Sequence, residues 1–207
     1  YLEFMTPAIK KYNGFIDKYI GDAVMALFPT SAEDAVLAAV EMKKQLAVYN
    51  SDEPTSGKDP VNMGVGIHIG QLVLGTIGRE LRMETTVISD TVNASARLEN
   101  LNKTYKTNVL ISGAVRDELS PDIQSFCRLI DRTQVKGKVE FLDVYEVYLT
   151  DDEALAEAKS KSKKVLTSIV DSYYLGDIKA AKKRLGELED DTKKDTVISF
   201  WKNRLKT

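Results

Sequence analysis

The stretch Phe15-Ile16-Asp17-Lys18-Tyr19-Ile20-Gly21-Asp22, followed directly by Ala23-Val24-Met25-Ala26-Leu27-Phe28, decides the fold expected for this chain. Two runs rich in apolar and aromatic residues meet at a Gly-Asp pair. This pattern predicts a β-hairpin with a carboxylate at its tip. A carboxylate exposed where two strands meet is well placed to hold a hard cation such as Mg²⁺. The hairpin therefore makes Asp22 a candidate metal ligand.

A second stretch, Asp90-Thr91-Val92-Asn93-Ala94-Ser95-Ala96-Arg97, opens a predicted helix that runs to about residue 105. Asn93 and Arg97 are four residues apart, so both project from one face of that helix. One residue turns a helix by about 100°, which sets this pair off the apolar stripe and on a flank that faces solvent or a cleft. The stripe predicted to be buried consists of Ala94, Leu98, Leu101 and Tyr105. With Asp22, the pair resembles parts of a site for a metal-bound polyphosphate.

The rest of the chain up to residue 149 alternates between helical and strand patterns. Helices are predicted at residues 2–13, after Ser31, and at 113–119, and a polar loop is predicted at 50–60. A second hairpin is predicted from strands 63–69 and 72–77, followed by a charged, mobile segment at 79–84 and a strand at 85–88. Further strands are predicted at 108–111, 126–135 and 139–148. Such alternation is typical of an α/β sandwich.

Composition excludes several classes of protein. The 207 residues suffice for one full domain and a small appendage. The chain carries 29 basic and 31 acidic residues, and this balance argues against a nucleic-acid partner. The single cysteine, Cys127, excludes an internal disulfide and fits a reducing compartment, so we expect a cytoplasmic location. The apolar runs are too short to span a bilayer.

The first residues and the last sixty raise separate expectations. The chain begins at Tyr1, without methionine and within a helical pattern, so we expect a parent protein that extends upstream with a sensor or regulatory domain, or a membrane anchor. After Thr150 the sequence has three successive helical apolar faces and no proline. We therefore predict a helical extension over residues 150–207, acting as a cap or an interaction module.

Four motifs in order identify a family resemblance. They are Lys18-Tyr19-Ile20-Gly21-Asp22-Ala23-Val24-Met25-Ala26, Gly66-Ile67-His68-Ile69-Gly70, Ser89-Asp90-Thr91-Val92-Asn93 with Arg97-Leu98-Glu99, and Val135-Lys136-Gly137-Lys138. Over residues 1–149 the chain resembles the catalytic domain of class III nucleotidyl cyclases, most closely a bacterial-type adenylate cyclase. The resemblance implies an α/β (α+β) fold with a ferredoxin-like βαββαβ core and a sheet flanked by helices.

The resemblance also implies an activity and a set of roles. The expected reaction converts ATP to 3′,5′-cyclic AMP and pyrophosphate, with two Mg²⁺ or Mn²⁺ ions in each site of a head-to-tail homodimer. Asp22 would hold metal, while Asn93 would orient the ribose and Arg97 would stabilise charge on the α-phosphate. An arginine suits that task because its planar fork offers paired donors to phosphate oxygens.

The remaining site residues concern the nucleotide. Lys18 and Thr86 match the pair that selects the base, and this combination favours adenine, since guanylate-making relatives tend to carry Glu with Cys or a similar small residue. Lys136 or Lys138 matches the lysine that reaches the triphosphate. His68 is the only histidine, which excludes a metal cluster built on several histidines and favours a hydrogen-bonded structural role.

One departure from the family keeps other functions open. The partner metal aspartate of the family lies on a strand that precedes the helix with which this chain begins, and that segment is absent here. The alternatives are a catalytically incompetent module for nucleotide sensing or dimerisation, and a guanylate cyclase. A diguanylate cyclase shares the core fold but is disfavoured by the lack of a Gly-Gly-(Asp/Glu)-Glu-Phe segment.

Overall fold

The computed structural model of the protein describes residues 2–52, 60–79, 82–88, 90–134, 141–188 and 194–206. Within these residues the first half of the chain contains α1 (Leu2–Lys11), β1 (Phe15–Ile20), β2 (Ala23–Leu27), α2 (Ala32–Asp52), β3 (Val65–Ile67), β4 (Val73–Arg79), β5 (Arg82–Ile88) and α3 (Asp90–Tyr105). The second half contains β6 (Val109–Ser112), α4 (Gly113–Asp117), α5 (Pro121–Ser125), β7 (Cys127–Gln134), β8 (Phe141–Val147), α6 (Glu153–Tyr174), α7 (Ile178–Gly186) and α8 (Thr196–Arg204).

The strands form one larger sheet and two ribbons. A four-stranded sheet has the order β3-β6-β8-β7, in which β3 and β6 are parallel and the other pairs are antiparallel. The ribbons β1-β2 and β4-β5 each pair as two-stranded antiparallel units. Helices α2 and α3 both contact β3, and α6 covers β7. The predicted α+β class, with a sheet flanked by helices, is confirmed.

The first hairpin forms where the sequence predicts it. β1 pairs antiparallel with β2, and Ile20 lies opposite Ala23, so Gly21 and Asp22 make the turn. Gly21 has φ +62°, in the left-handed region where a side chain would be strained. The register shifts between Ile16 and Lys18, which places Asp17 at a β-bulge.

The predicted second hairpin is wrong. β3 pairs in parallel with β6, Val65 lying opposite Val109, and β4 pairs with β5, Val73 lying opposite Ile88. Alternating apolar residues mark a strand, but the partner of a parallel strand lies far along the chain and leaves no local signal. The charged segment predicted at 79–84 is also largely strand, because β4 ends at Arg79 and β5 begins at Arg82. Helix α2 extends through Asp52, so residues 50–52 of the predicted loop are helical, and residues 53–59 lie outside the described part.

Helix α3 lies directly on β3. It spans Asp90–Tyr105 as predicted and buries Ala94, Leu98 and Tyr105. A side chain on Gly66 of β3 would overlap the α3 backbone at Ser95 and Glu99, so this glycine permits the close approach.

An asparagine rather than a leucine completes the buried face of α3. Asn102 is buried, whereas Leu101 is only partly buried, against the expectation. The Asn102 amide Nδ2 donates to the carbonyl of Val65 at 3.0 Å. This bond fixes the end of α3 against the same strand that Gly66 allows it to approach, and it satisfies a buried amide.

The helical extension is confirmed as helical, and it shares a core with the sheet. One hydrophobic cluster includes Leu129 and Ile130 of β7 together with Leu166, Ile169 and Trp201 of the C-terminal helices. The division of the chain into units at residue 150 stays a prediction. Over the residues described, none of the helices is both long enough and apolar enough to cross a membrane.

Candidate active site

Asp22 lies exposed at the tip of the β1-β2 hairpin, as predicted. Its carboxylate offers the oxygen ligands that Mg²⁺ prefers. Across the described ranges, no three His, Cys, Asp or Glu side chains come close enough to form a metal site. The role of Asp22 as a metal ligand therefore stays a prediction.

Lys18 lies on β1, four residues before Asp22, and its ammonium forms an ion pair. Lys18 Nζ is 3.3 Å from Asp17 Oδ2. The Asp17 side chain is only 5% exposed, and its Oδ2 atom accepts no hydrogen bond from the part of the chain that the structure describes. Sequence reasoning missed this buried carboxylate beside the candidate base-selecting lysine, because Asp17 looks like an ordinary strand residue in the sequence.

Three other predicted residues have little or no described surroundings. Thr86 lies on β5 opposite Gly75, and its side chain is outside the described part. Lys136 and Lys138 fall within residues 135–140, which also lie outside it. The roles assigned to these three residues therefore stay predictions.

Asn93 and Arg97 are both exposed on the flank of α3, as their spacing predicts. The Arg97 Nε donates a hydrogen bond to Thr133 Oγ1 on β7 at 2.8 Å. This bond uses one of the five N–H groups of a guanidinium. The structure thus brings Asn93 and Arg97 together, whereas Lys18 and Asp22 lie on a separate two-stranded ribbon.

His68 and Cys127 have reactive side chains whose surroundings indicate a structural role. The His68 Nδ1 lies 2.8 Å from Ser112 Oγ, which agrees with the hydrogen-bonded role predicted for this histidine. Cys127 is buried, and burial raises the pKa of its thiol to about 11. A thiol protonated at neutral pH is a poor nucleophile, so Cys127 is not a candidate for covalent catalysis.

Behind α3, β7 carries a buried carboxylate that sequence reasoning missed. Asp131 is 3% exposed and accepts hydrogen bonds from Tyr105 at 2.6 Å, Arg204 at 2.7 Å, and Tyr174 at 2.9 Å. The backbone N–H of Arg132 donates a fourth, at 2.8 Å. Because Tyr105 belongs to α3, Tyr174 to α6 and Arg204 to α8, this one side chain joins three helices to the sheet.

A second buried ionic cluster lies nearer the start of β7. The Arg128 side chain has no exposed surface, and its guanidinium donates to Asp195 at both carboxylate oxygens and to Glu146 at 2.8 Å. Glu146 also accepts from Lys159 at 2.7 Å. Hydrogen bonds to every one of these ions offset the cost of removing them from water.

Comparison with known proteins identifies the family of this chain. The adenylate and guanylate cyclase catalytic domain family matches residues 7–150. The chain belongs to this family. It is 43% identical over 153 residues to an adenylate cyclase of Anabaena cylindrica, covering 71% of this chain and 30% of that protein. This chain spans from 7% to 30% of the length of the first three curated relatives.

Solved structures of both kinds of cyclase resemble this cyclase domain. The adenylyl cyclase CyaB from P. aeruginosa is 28% identical with a TM-score of 0.57, covering 70% of this chain and 77% of that one. The guanylyl cyclase Cya2 is 29% identical with a TM-score of 0.61, covering 73% of this chain and 78% of that one. Likeness of fold alone therefore leaves the choice of nucleotide open.

Proposed function

We propose that this cyclase domain makes 3′,5′-cyclic AMP from ATP. In that reaction the ribose 3′-hydroxyl attacks the α-phosphorus of the same molecule and pyrophosphate leaves. Such a transfer needs positioning and charge stabilisation more than covalent catalysis. The observation that carries the proposal is the exposed pair on α3, where Asn93 and a hydrogen-bonded Arg97 share one flank.

Arg97 is the residue that would stabilise the transition state. Negative charge on the α-phosphate oxygens increases as the leaving pyrophosphate departs, and a preorganised guanidinium lowers the energy of that charge. The bond from Nε to Thr133 orients the group, and its Nη hydrogens would donate to phosphate oxygens. Asn93, one helical turn away, would hold the ribose in line for attack.

Lys18 and Thr86 support ATP over GTP as the substrate. The Lys18 ammonium offers only donors, and the Thr86 hydroxyl can accept from the exocyclic amine of adenine. Guanine presents a carbonyl where adenine has that amine. The ion pair of Lys18 with Asp17 fixes the ammonium on β1, on the same ribbon as Asp22.

A divalent metal ion and a second copy of the chain would complete the site. Bound Mg²⁺ or Mn²⁺, two ions in each site, would activate the attacking hydroxyl and neutralise the leaving group. Asp22 would hold metal through its exposed carboxylate, together with a second carboxylate outside the described residues, and Lys136 or Lys138 would bind the triphosphate. In a head-to-tail homodimer, Asp22 of one protomer would complement Asn93 and Arg97 of the other.

A mixing experiment in the full-length protein tests this shared site. Asp22→Ala and Arg97→Ala should each lower cyclic AMP formation by at least about a hundredfold. The mixture should recover roughly a quarter of wild-type activity, because about half of randomly paired dimers are mixed and each of these has one intact site of two. Absence of recovery in purified heterodimers would refute the shared site.

Two controls separate this result from the alternatives. Asp117, on α4, has a side chain that is 69% exposed, so Asp117→Ala removes an exposed carboxylate elsewhere and should leave activity unchanged. A wild-type protein that binds ATP yet forms no cyclic nucleotide would support the non-catalytic module. Formation of cyclic GMP in preference to cyclic AMP would support the guanylate cyclase.

A further inference from the structure

The candidate catalytic Arg97 is held from β7 rather than from its own helix. Its Nε donates to Thr133 Oγ1 at 2.8 Å, and Thr133 is only 8% exposed, so water has little access to the accepting hydroxyl. A long arginine side chain on an exposed helix flank is otherwise free to occupy several rotamers. The threonine therefore restricts the orientation of the guanidinium plane.

The C-terminal helices hold the same segment of β7. Asp131 lies two residues before Thr133, and residues two apart on a strand face the same way. Asp131 accepts from Tyr174 of α6 at Oδ1, and from Arg204 of α8 and Tyr105 of α3 at Oδ2. Helix α3 is thus bonded to β7 at Asp131 and again at Thr133, next to the point where α6 and α8 attach.

Three other contacts place the C-terminal helices on this short segment. Trp201 Nε1 of α8 donates to the carbonyl of Ile130 at 2.8 Å. Arg132 donates to Asp171 of α6 at 2.7 Å, and the Tyr174 hydroxyl shares its one hydrogen between the Asp131 carboxylate and the Arg132 carbonyl. A register shift between Leu129 and Asp131 marks a bulge here, a feature that re-aims the side chains that follow it.

We propose that Thr133 is a positioning residue for Arg97, and that α6 and α8 keep Thr133 in place by fixing β7 at Asp131. This rests on the proposed function, which assigns Arg97 its role. The family match ends at residue 150, so the C-terminal helices lie beyond the matched residues. They contribute to turnover without contacting the nucleotide.

Two substitutions of Thr133 in the full-length protein test the first part. Thr133→Val removes the acceptor at nearly constant volume and should lower kcat by roughly tenfold, with KM for ATP within about twofold. Thr133→Ser keeps the hydroxyl and should restore kcat to within about twofold of wild type. Equal losses in both variants, or a change in KM alone, would overturn the positioning role.

A double-mutant cycle with Arg97→Lys tests whether Thr133 acts through the guanidinium. Lysine has no Nε–H donor, so Thr133→Val should cause no further loss in that background. The same loss in both backgrounds would overturn the inference. Wild-type kcat in Arg97→Lys would instead count against the proposed function. A large loss in Arg97→Lys with no effect of Thr133→Val in the wild type would refute only the inference.

The role of the helices is tested at Arg204. Arg204→Met should lower kcat by about threefold and should add little when Thr133→Val is already present. Arg184, exposed on α7, is the matched control, and Arg184→Met should leave kcat unchanged. Active-site titration corrects for any unfolded fraction. An unchanged kcat in the folded Arg204→Met protein would refute the link between α8 and the site.

Discussion

Two regions of this molecule use charged residues in opposite ways. On the hairpin and the α3 flank, Asp22, Asn93 and Arg97 are exposed. At the junction between β7 and the C-terminal helices, Arg128 and Asp131 are buried and bonded to several partners. Charge kept in water remains available for a ligand, whereas charge bonded inside the fold fixes how elements pack. Exposure, rather than residue type, distinguishes the two uses.

Arg97 and Thr133 lie where these two regions meet. Arg97 is exposed and Thr133 is buried, and a single hydrogen bond connects them. Conversely, Asp17 is a buried carboxylate within the exposed region, and it pairs with Lys18. The candidate binding groups are therefore exposed at their tips and supported by buried neighbours, an arrangement that lowers the cost of ordering them when a ligand binds.

The largest expected effect is the loss of stability when an ion pair in the buried region is broken. Arg128→Met keeps the volume but leaves Asp195 buried without its cationic partner, which should cost about 3–5 kcal/mol of unfolding free energy. Urea unfolding followed by circular dichroism measures it. The exposed ion pair of Lys161 with Glu157, 69% and 64% exposed, is the matched comparison, and Lys161→Met should leave the midpoint unchanged. Similar losses in the two variants would remove the contrast between the regions.

The next effect concerns the choice of nucleotide at the candidate binding residues. Lys18→Glu with Thr86→Cys should lower kcat/KM for ATP by well over about tenfold and raise the ratio of GTP to ATP use, because donors and acceptors for adenine are lost. Because Lys18→Glu also removes the cation beside the buried Asp17 carboxylate, we expect this variant to unfold more readily than wild type, and the two proteins are compared at equal folded fraction. The test is the value of kcat/KM for ATP and for GTP, measured with the wild type and with the variant. An unchanged ratio would show that neither side chain contacts the base.

The smallest expected effect is the pH dependence of stability that a buried carboxylate contributes. Burial alone would raise the pKa of Asp195, but hydrogen bonds and charge from Arg128 outweigh it, so the pKa lies below its ordinary value. A carboxylate with a lowered folded pKa contributes stability that is complete above the unfolded pKa and is lost as pH falls through the folded value. The stability difference between wild type and Asp195→Asn should therefore shrink below about pH 4. A difference that stays constant down to pH 2 would contradict this linkage.

Local sequence patterns predicted the helices and strands well, but they predicted the pairing of strands poorly. Helix α3 was predicted with both of its ends, because its apolar stripe lies within sixteen residues. The partner of β3 was predicted wrongly, because β6 begins more than forty residues further on at Val109. Pairing depends on which distant strand covers an edge, and alternation within one strand carries no information about that.

The site was predictable to the extent that its motifs are local. Asp22 at a turn, and Asn93 and Arg97 on a helix flank, follow from spacing within a few residues. The partners of the buried charges do not, since Arg128 meets a carboxylate 67 positions away and Asp131 meets a guanidinium 73 positions away. In sequence, the charges of β7 resemble those of an exposed strand, and only the docked helices bury them.

The anchoring charges of β7 have a consequence for anyone exchanging parts between cyclases. Arg128 and Asp131 belong to the segment that the family shares, but the groups that neutralise them, Asp195 and Arg204, belong to the C-terminal helices. A chimera spliced at residue 150 would separate Arg128 from Asp195 and Asp131 from Arg204, and would expose Leu129 and Ile130 to water. The part to exchange is therefore the C-terminal helices together with β7, whose charges they neutralise. The boundary of that part is set by contacts in the fold rather than by position along the chain.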